Sequence, residues 1–106
     1  MSIKLALLKS GETVITEAKE LIADDQLRGY LFTQPQVVET RQPVLLLEDE
    51  SEGRDQGNEL EIFMAPWIYL SKDKDIPVTP DWVVTIVDPI DELYQMYEEK
   101  VNEQSS

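Results

Sequence analysis

The sequence predicts a mainly β protein: a small five-stranded antiparallel sheet, strongly bent or forming an open barrel, followed by one C-terminal α-helix. Three observations carry this prediction. Apolar and polar residues alternate in several short segments, as they do in strands with one buried face. Short connections rich in turn residues separate these segments, which favours antiparallel pairing. The last segment instead repeats its apolar residues at helical spacing.

The first two predicted strands flank a tight turn. Residues 3–8 alternate apolar side chains along an extended chain, and residues 9–12 supply turn residues with a glycine. Residues 13–22 fit a strand by their even apolar spacing, although the same side chains also repeat every four residues, as in a helix. The β-branched run 13–16 favours the strand.

Three further strands are predicted in the middle of the chain. One starts at residues 29–32 and resumes beyond Pro35, which marks an edge or a bend. A second covers residues 59–70, and a third covers residues 82–87, where β-branched residues dominate. The charged, proline-containing segment 71–80 is predicted to be a connection between them.

The C-terminal helix is predicted over residues 88–103. Asp88 is expected as its N-cap and Pro89 at its first helical position, and the acidic residues that follow suit the positive end of a helix. A single apolar stripe runs along the helix at Ile90, Leu93, Tyr94, Tyr97 and Val101. We expect this stripe to pack on the protein's own sheet or on a neighbouring subunit.

Length and composition set the broad class. The 106 residues, 42% of them hydrophobic, fit one folded domain over 1–106 rather than two domains or a disordered acidic chain. No segment approaches the roughly 18 apolar residues of a membrane span, and the absence of cysteine fits a reducing compartment. We therefore expect a cytoplasmic protein without a membrane partner.

The absence of histidine and cysteine removes most site chemistry. Ser-His-Asp triads, Cys-His pairs and standard zinc sites cannot be built from this chain. Its four glycines do not form a phosphate-binding loop either. The sequence therefore predicts a protein that is not an enzyme and holds no metal or cofactor.

The net charge of −13 is concentrated in two segments. Residues 48–61 carry seven acids and one arginine, residues 88–106 carry six acids and one lysine, and the other 73 residues are close to neutral. We predict a variable, solvated acidic loop at 48–58. Its carboxylates at Asp49, Glu50, Glu52 and Asp55 lack the ligand order of a calcium-binding loop.

Leu8, Gly11 and Val14 resemble the first motif of Sm and Lsm domains, which runs Leu-x-x-Gly-x-x-Val across the first hairpin. The strand plan is similar too, with a bent β-meander, a variable loop between the third and fourth strands at 48–58, and a short final strand. The run from Pro66 to Pro89 and the general layout of nearly the whole chain resemble small proteins encoded by tailed bacteriophages of marine cyanobacteria.

The resemblance implies a homo-oligomeric ring and a contact to single-stranded RNA. Sm domains bind RNA with two loops, and the corresponding candidates in this chain are Asp24, Asp25, Gln26, Lys72 and Lys74. A viral origin would place the protein in the cytoplasm of an infected bacterial host, with a host or phage protein as a further partner.

Aromatic residues on the predicted strands allow two interpretations. Such residues stack bases in single-strand binders, but they more often fill a core or a subunit interface. The residues concerned are Tyr30, Phe32, Trp67, Tyr69 and Trp82.

Two hypotheses of different class follow from the sequence. The leading hypothesis is a non-enzymatic Sm-like binding or scaffold module that forms a ring and contacts RNA. The alternative is an acidic inhibitor or nucleic-acid mimic, whose carboxylates occupy the basic cleft of a host protein. A structural component of a phage particle is a third interpretation.

Overall fold

The computed structural model describes residues 2–41 and 61–105, which form six strands, one 3₁₀ helix and one α-helix. The predicted acidic loop at 48–58, with its calcium candidates, lies outside the described residues. The elements are β1 Ile3–Leu8, β2 Thr13–Ala23, β3 Gln26–Arg41, β4 Glu61–Pro66, β5 Asp75–Val78, the 3₁₀ helix Pro80–Trp82, β6 Val83–Val87 and α1 Asp91–Ser105.

The strands form one antiparallel sheet in the order β4-β3-β2-β1-β6, and β5 pairs with β3 outside this path. Among the described strands, the two ends of the order do not pair, so the sheet is open. The predicted mainly β protein with a C-terminal helix is confirmed. The count of five strands is wrong, because β5 is a sixth.

The β1–β2 hairpin confirms the strand interpretation of the second segment. Leu5 of β1 pairs with Ile15 of β2, and the turn between them closes with a 2.9 Å hydrogen bond from the Gly11 nitrogen to the Leu8 oxygen. Gly11 has a φ of 92°, a conformation that side-chain-bearing residues rarely adopt. The glycine at this position therefore fits the turn that the sequence predicts.

Strand β3 is one long, bent strand where the sequence predicts two pieces. Its first half, Tyr30 to Thr33, pairs with β5, and its second half, Gln36 to Arg41, pairs with β4. Gln34, between the halves, has a φ of 52°. The bend predicted at Pro35 is therefore confirmed, and it divides one edge of β3 between two partners.

Two local predictions beside this bend are wrong. Residues 67–70 form turns rather than a continuation of β4, because the pairing with β3 stops at the bend: the Trp67 nitrogen donates to the Pro35 oxygen at 3.0 Å, beyond the last paired residue. The predicted connection 71–80 contains β5. Its aspartate and its proline are poor strand formers, so local propensity does not predict this strand.

Each face of the sheet carries an apolar cluster. On one face, which we call the inner side, Phe32, Val78 and neighbouring side chains of β1 and β2 are buried together. On the outer side, Leu93 and Tyr97 of α1 pack against Ile3 and Ile15. The apolar stripe of α1 therefore packs on the protein's own sheet, as one of the two predicted arrangements requires.

The helix begins three residues later than predicted. It starts at Asp91, and the Tyr94 nitrogen donates to the Ile90 oxygen at 2.9 Å. Asp88 is not its N-cap, since it lies three residues before the first helical residue. The Asp88 carboxylate instead accepts a 2.6 Å hydrogen bond from the Lys4 ammonium of β1. The acidic first turn is confirmed, with Asp91 and Glu92 at the positive end of the helix.

Tyr97 of α1 is hydrogen-bonded to the bend of β3. Its hydroxyl lies 3.0 Å from the Thr33 oxygen and 3.1 Å from the Gln34 oxygen, both of which accept. Burial raises the pKa of Tyr97 to about 12, and the nearby charge of Glu17 acts in the same direction. The tyrosine therefore stays a neutral donor under physiological conditions.

Candidate functional site

The predicted RNA-contact residues Asp24, Asp25 and Gln26 lie at the exposed tip of the β2–β3 hairpin. Asp24 and Asp25 form its two-residue turn, with φ values of 55° and 61°. Positive φ at both positions is typical of a type I′ turn, whose twist matches that of the flanking strands. The Asp24 carboxylate lies 3.8 Å from the Arg28 guanidinium, so the acidic tip is partly neutralised locally.

The other two candidates, Lys72 and Lys74, are exposed in the segment 67–74 that joins β4 to β5, which we call the edge loop. The loop is held at both ends by the bend of β3. The Trp67 nitrogen donates to the Pro35 oxygen at 3.0 Å, and the Gln34 nitrogen donates to the Lys74 oxygen at 2.7 Å. Backbone hydrogen bonds therefore hold both ends of the loop that carries the two lysines.

Strand β3 separates the two groups of candidates. Gln26 begins the strand, and the lysines adjoin its bend at Gln34. Eight residues of extended chain span roughly 26 Å at about 3.3 Å per residue. A single copy of the chain therefore does not bring Asp24, Asp25 and Gln26 together with Lys72 and Lys74.

Three of the five aromatic candidates belong to the inner cluster. The ring of Phe32 is fully buried, and its centroid lies 6.3 Å from that of Tyr30 and 6.2 Å from that of Trp67. Tyr69 and Trp82 remain exposed. The core interpretation is therefore confirmed for Tyr30, Phe32 and Trp67, while Tyr69 stays accessible on the edge loop.

A small hollow of about 210 Å³ lies between the edge loop and the bend of β3. Trp67, Tyr69, Lys72 and Lys74 line it, together with Gln36. Gln36 is buried, and its Oε1 atom accepts no hydrogen bond from the described residues. The hollow thus combines aromatic, cationic and amide groups beside the predicted lysines.

The outer edge of β6 is the feature that sequence reasoning missed. This strand, Val83–Val87, contains four β-branched apolar residues and a threonine, and it carries no charge. One side pairs with β1, and no described strand pairs with the other. Natural edge strands are usually blunted by charge, proline or a covering element, so an uncharged edge is a ready template for another strand.

Exposed side chains accompany this edge. A bulge opposite Leu7 and Leu8 leaves Val84 as the extra residue, 58% exposed, and Val87 is 49% exposed. Beside the strand, a hollow of about 700 Å³ reaches the inner side of the sheet, lined by Ile86, Ala18, Tyr30 and Lys4 among others. The edge therefore combines free backbone groups with accessible apolar surface.

The opposite side of the sheet offers a second, different edge. It consists of β4 and β5, which share the same side of β3 on either side of the edge loop. Pro66 ends β4, and Pro77 lies within β5, so parts of this edge cannot donate backbone hydrogen bonds. In the strand order the two edges are separated by β3, β2 and β1. The 3₁₀ helix nevertheless joins β5 to β6, and Val83 and Ile86 of β6 pack against the cluster that contains Val78 of β5.

The class that the described residues define is a small antiparallel β-sheet protein with a C-terminal helix, in which the outer edge of β6 has no described partner strand. The chain belongs to DUF6561, a family of unknown function, whose family model matches residues 1–102. No curated protein matches the chain.

Two absences concern the described residues, 2–41 and 61–105, alone. No helix there has the length and apolar character needed to cross a membrane. No group of three or more acidic side chains there is arranged to hold a metal ion.

Proposed function

We propose that the protein is a non-enzymatic, Sm-like binding or scaffold module of a bacteriophage that assembles into a homo-oligomeric ring. The observation that carries the proposal is the outer edge of β6, which is uncharged and which no other strand of residues 2–41 and 61–105 pairs with. The Sm-like part is supported by the strand order, a meander whose short final strand returns to β1. Pairing β6 of one copy with the β4–β5 edge of the next is a head-to-tail contact, which gives a ring when its rotation closes.

Two short-range contributions would stabilise this contact. Each new backbone hydrogen bond contributes about 0.5–1.5 kcal/mol, and burial of the exposed Val84 and Val87 adds roughly 1 kcal/mol or more per side chain. Repulsion between copies that each carry −13 charges opposes this gain. Assembly therefore depends on contacts at the seam that overcome a general repulsion.

The test is the oligomeric state at micromolar concentration, measured by native mass spectrometry and light scattering. We expect the wild-type chain to form a discrete oligomer and Val84→Lys to weaken it, because a charge blunts the edge. Leu27→Lys in the β2–β3 hairpin is the matched control, since Leu27 is an exposed apolar side chain outside the lining of the hollow beside β6 and the charge change is identical. A wild-type chain that remains monomeric would refute the proposal.

RNA contact is an extension of this proposal, supported by the hollow under the edge loop. An amide acceptor, an accessible tyrosine and two lysines could receive an unpaired base and its phosphate. We expect uridine-rich oligonucleotides to bind in low salt and Lys72→Ala/Lys74→Ala to abolish binding. Lys9→Ala/Lys19→Ala removes the same charge from other exposed positions and should have little effect. No salt-dependent binding by the wild-type chain would end the extension.

The acidic-mimic alternative draws support from helix α1. Its exposed side carries Asp91, Glu92, Glu98 and Glu99, opposite the face that packs on the sheet. If these carboxylates imitate phosphates, they bind a basic host protein that nucleic acid can displace. Glu92→Lys/Glu99→Lys should then abolish the binding of that host protein. A bound protein that survives both the substitution and competition by nucleic acid would contradict the mimic.

A further inference from the structure

The tip of the edge loop is an exposed apolar surface. Ile68 is 45% exposed, Tyr69 73% and Leu70 89%, although they follow one another directly. A 3.1 Å hydrogen bond from the Ser71 nitrogen to the Ile68 oxygen closes the turn that carries them. Three consecutive apolar side chains held out by a closed turn are typical of a docking element.

The loop also carries the positive charge of this region. Lys72 and Lys74 are exposed, and neither belongs to an ion pair within the described residues. The Asp75 carboxylate that follows accepts a 2.6 Å hydrogen bond from the Thr33 hydroxyl, so it is turned to β3. Within 67–74 only Asp73 opposes the two lysines, which leaves the loop cationic in a strongly acidic protein.

A second exposed apolar surface lies where β6 meets α1, and we call it the corner patch: Val87, Ile90 and Tyr94. Ile90 is 64% exposed and Val87 49%. Ile90 and Tyr94 are four residues apart and share one side of the helix start. Asp91 and Glu98 are three residues before and four residues after Tyr94, so helical geometry places their carboxylates beside the patch.

We propose that the edge loop of one copy docks on the corner patch of the next copy. The inference rests on the proposed head-to-tail assembly and identifies the side chains that select its partner. The two surfaces complement each other, since an apolar tip with two lysines faces an apolar patch with two acids. They also lie at opposite edges of one sheet, so pairing β6 with the β4–β5 edge of a neighbour brings both to the same seam.

Charge reversal tests the partner assignment. Lys72→Glu/Lys74→Glu makes both surfaces acidic, and Asp91→Lys/Glu98→Lys makes both basic, so each variant alone should associate about tenfold more weakly or worse. Mixing the two variants in equal amounts should restore assembly, because each loop then meets a patch of opposite charge. Light scattering measures the oligomer, and circular dichroism confirms that every variant is folded.

The effect of Asp91→Lys/Glu98→Lys on association distinguishes this contact from a general change in the repulsion between copies. Each acid-to-lysine change adds two charges, so Asp91→Lys/Glu98→Lys lowers the net charge from −13 to −9 and would strengthen any association limited by repulsion alone. Glu92→Lys/Glu99→Lys is the matched control, with the same charge change at exposed helix positions turned away from Tyr94. We expect the control to associate at least as well as the wild-type chain.

The outcomes distinguish this inference from the proposed function. A wild-type oligomer that is unchanged by Lys72→Glu/Lys74→Glu, or folded single variants that fail to assemble when mixed, would overturn the docking contact and leave the assembly itself intact. A wild-type chain that is monomeric would remove both. Recovery of the oligomer only in the mixture supports the contact.

Discussion

At the residue scale, Tyr97 shows what an individual side chain adds to a sequence pattern. Helical periodicity places it in the apolar stripe, and it is indeed 3% exposed. The pattern gives no hint that its hydroxyl reaches two carbonyl oxygens at the bend of β3. One residue therefore links the helix to the bend that divides the sheet edge.

The pH dependence of stability should reveal this residue. The folded-state pKa of about 12 exceeds the ordinary value of 10.0, so the unfolded chain loses the tyrosine proton first. Stability is therefore fully retained below pH 10 and falls as the pH rises from about 10 to 12, by up to about 2 kcal/mol. Urea unfolding of the wild-type chain and Tyr97→Phe across this range measures the difference.

Tyr97→Phe itself should lower the free energy of unfolding by about 1 kcal/mol at neutral pH, because two backbone acceptors lose their donor. The exposed Tyr94→Phe is the control and should be close to neutral. An identical pH profile for the wild-type chain and Tyr97→Phe would show that the hydroxyl is not buried in a hydrogen bond.

At the element scale, strand β5 depends on a partner rather than on its own sequence. Its four residues include Asp75 and Pro77, which are both poor strand formers. Pairing with β3 nevertheless makes it a strand, and Gly29 of β3 allows the close approach. A Cβ atom at Gly29 would lie 2.9 Å from the Val78 oxygen.

Gly29→Ala should therefore destabilise the protein by about 1–3 kcal/mol, since the backbone of β5 must move. The sign is diagnostic, because glycine to alanine within a strand otherwise stabilises by roughly 0.5–1 kcal/mol. Chemical denaturation gives the magnitude. Increased stability would mean that β5 does not approach Gly29 this closely.

The β2–β3 hairpin gives a prediction of opposite sign. Asp24 and Asp25 both adopt positive φ, which costs side-chain-bearing residues about 1 kcal/mol each. Asp24→Asn/Asp25→Gly installs the preferred type I′ pair and should raise the free energy of unfolding by about 1 kcal/mol. Asp25→Ala, which keeps a Cβ and loses the tolerant aspartate, should lower it. Thermal melts compare the three chains.

At the scale of the whole molecule, the net negative charge opposes the proposed self-association, whereas the uncharged edge of β6 favours it. The chain carries −13 charges, yet β6 presents a strand edge with none. Repulsion between like-charged copies is long-ranged and screened by salt, whereas strand pairing and apolar burial are short-ranged. The proposed self-association would therefore depend on ionic strength.

We expect self-association to strengthen as salt rises from about 0.01 to 0.5 M, because the Debye length falls from about 30 Å to a few ångströms. Sedimentation equilibrium at several salt concentrations measures this trend. Wild-type association that weakens steadily with salt would mean that opposite charges, rather than the uncharged edge, supply most of the energy.

The sequence predicted correctly the elements that depend on nearby residues, and it mispredicted those that depend on residues far away in the chain. Local patterns predicted three elements correctly. These patterns are the alternation in residues 3–8 and 13–22 and the helical apolar stripe that ends at Val101. Strand β5 and the turns at 67–70 depend on the distant bend of β3, so local propensity assigns both wrongly. The helix also starts later than predicted, at Asp91, and the Asp88 carboxylate pairs with Lys4 of the distant strand β1.

The candidate site was predictable only in part. The sequence drew attention to Lys72 and Lys74, and the structure places them on a constrained loop. It could not reveal that β3 holds them roughly 26 Å from the hairpin tip, because that distance is a property of one unbroken strand. The run Val83–Val87 read as a strand, but nothing in its residues identified it as an edge.

The sequence by itself determined the mainly β class, the C-terminal helix and the narrow chemistry of a chain without histidine or cysteine. These follow from composition and from periodicity, which act over a few residues. Only the tertiary structure decided that the described strands leave the sheet open with β6 as an uncharged edge, and that the edge loop and the corner patch lie at opposite ends of the strand order. Strand order fixes those features, and it arises from pairings between residues far apart in the chain.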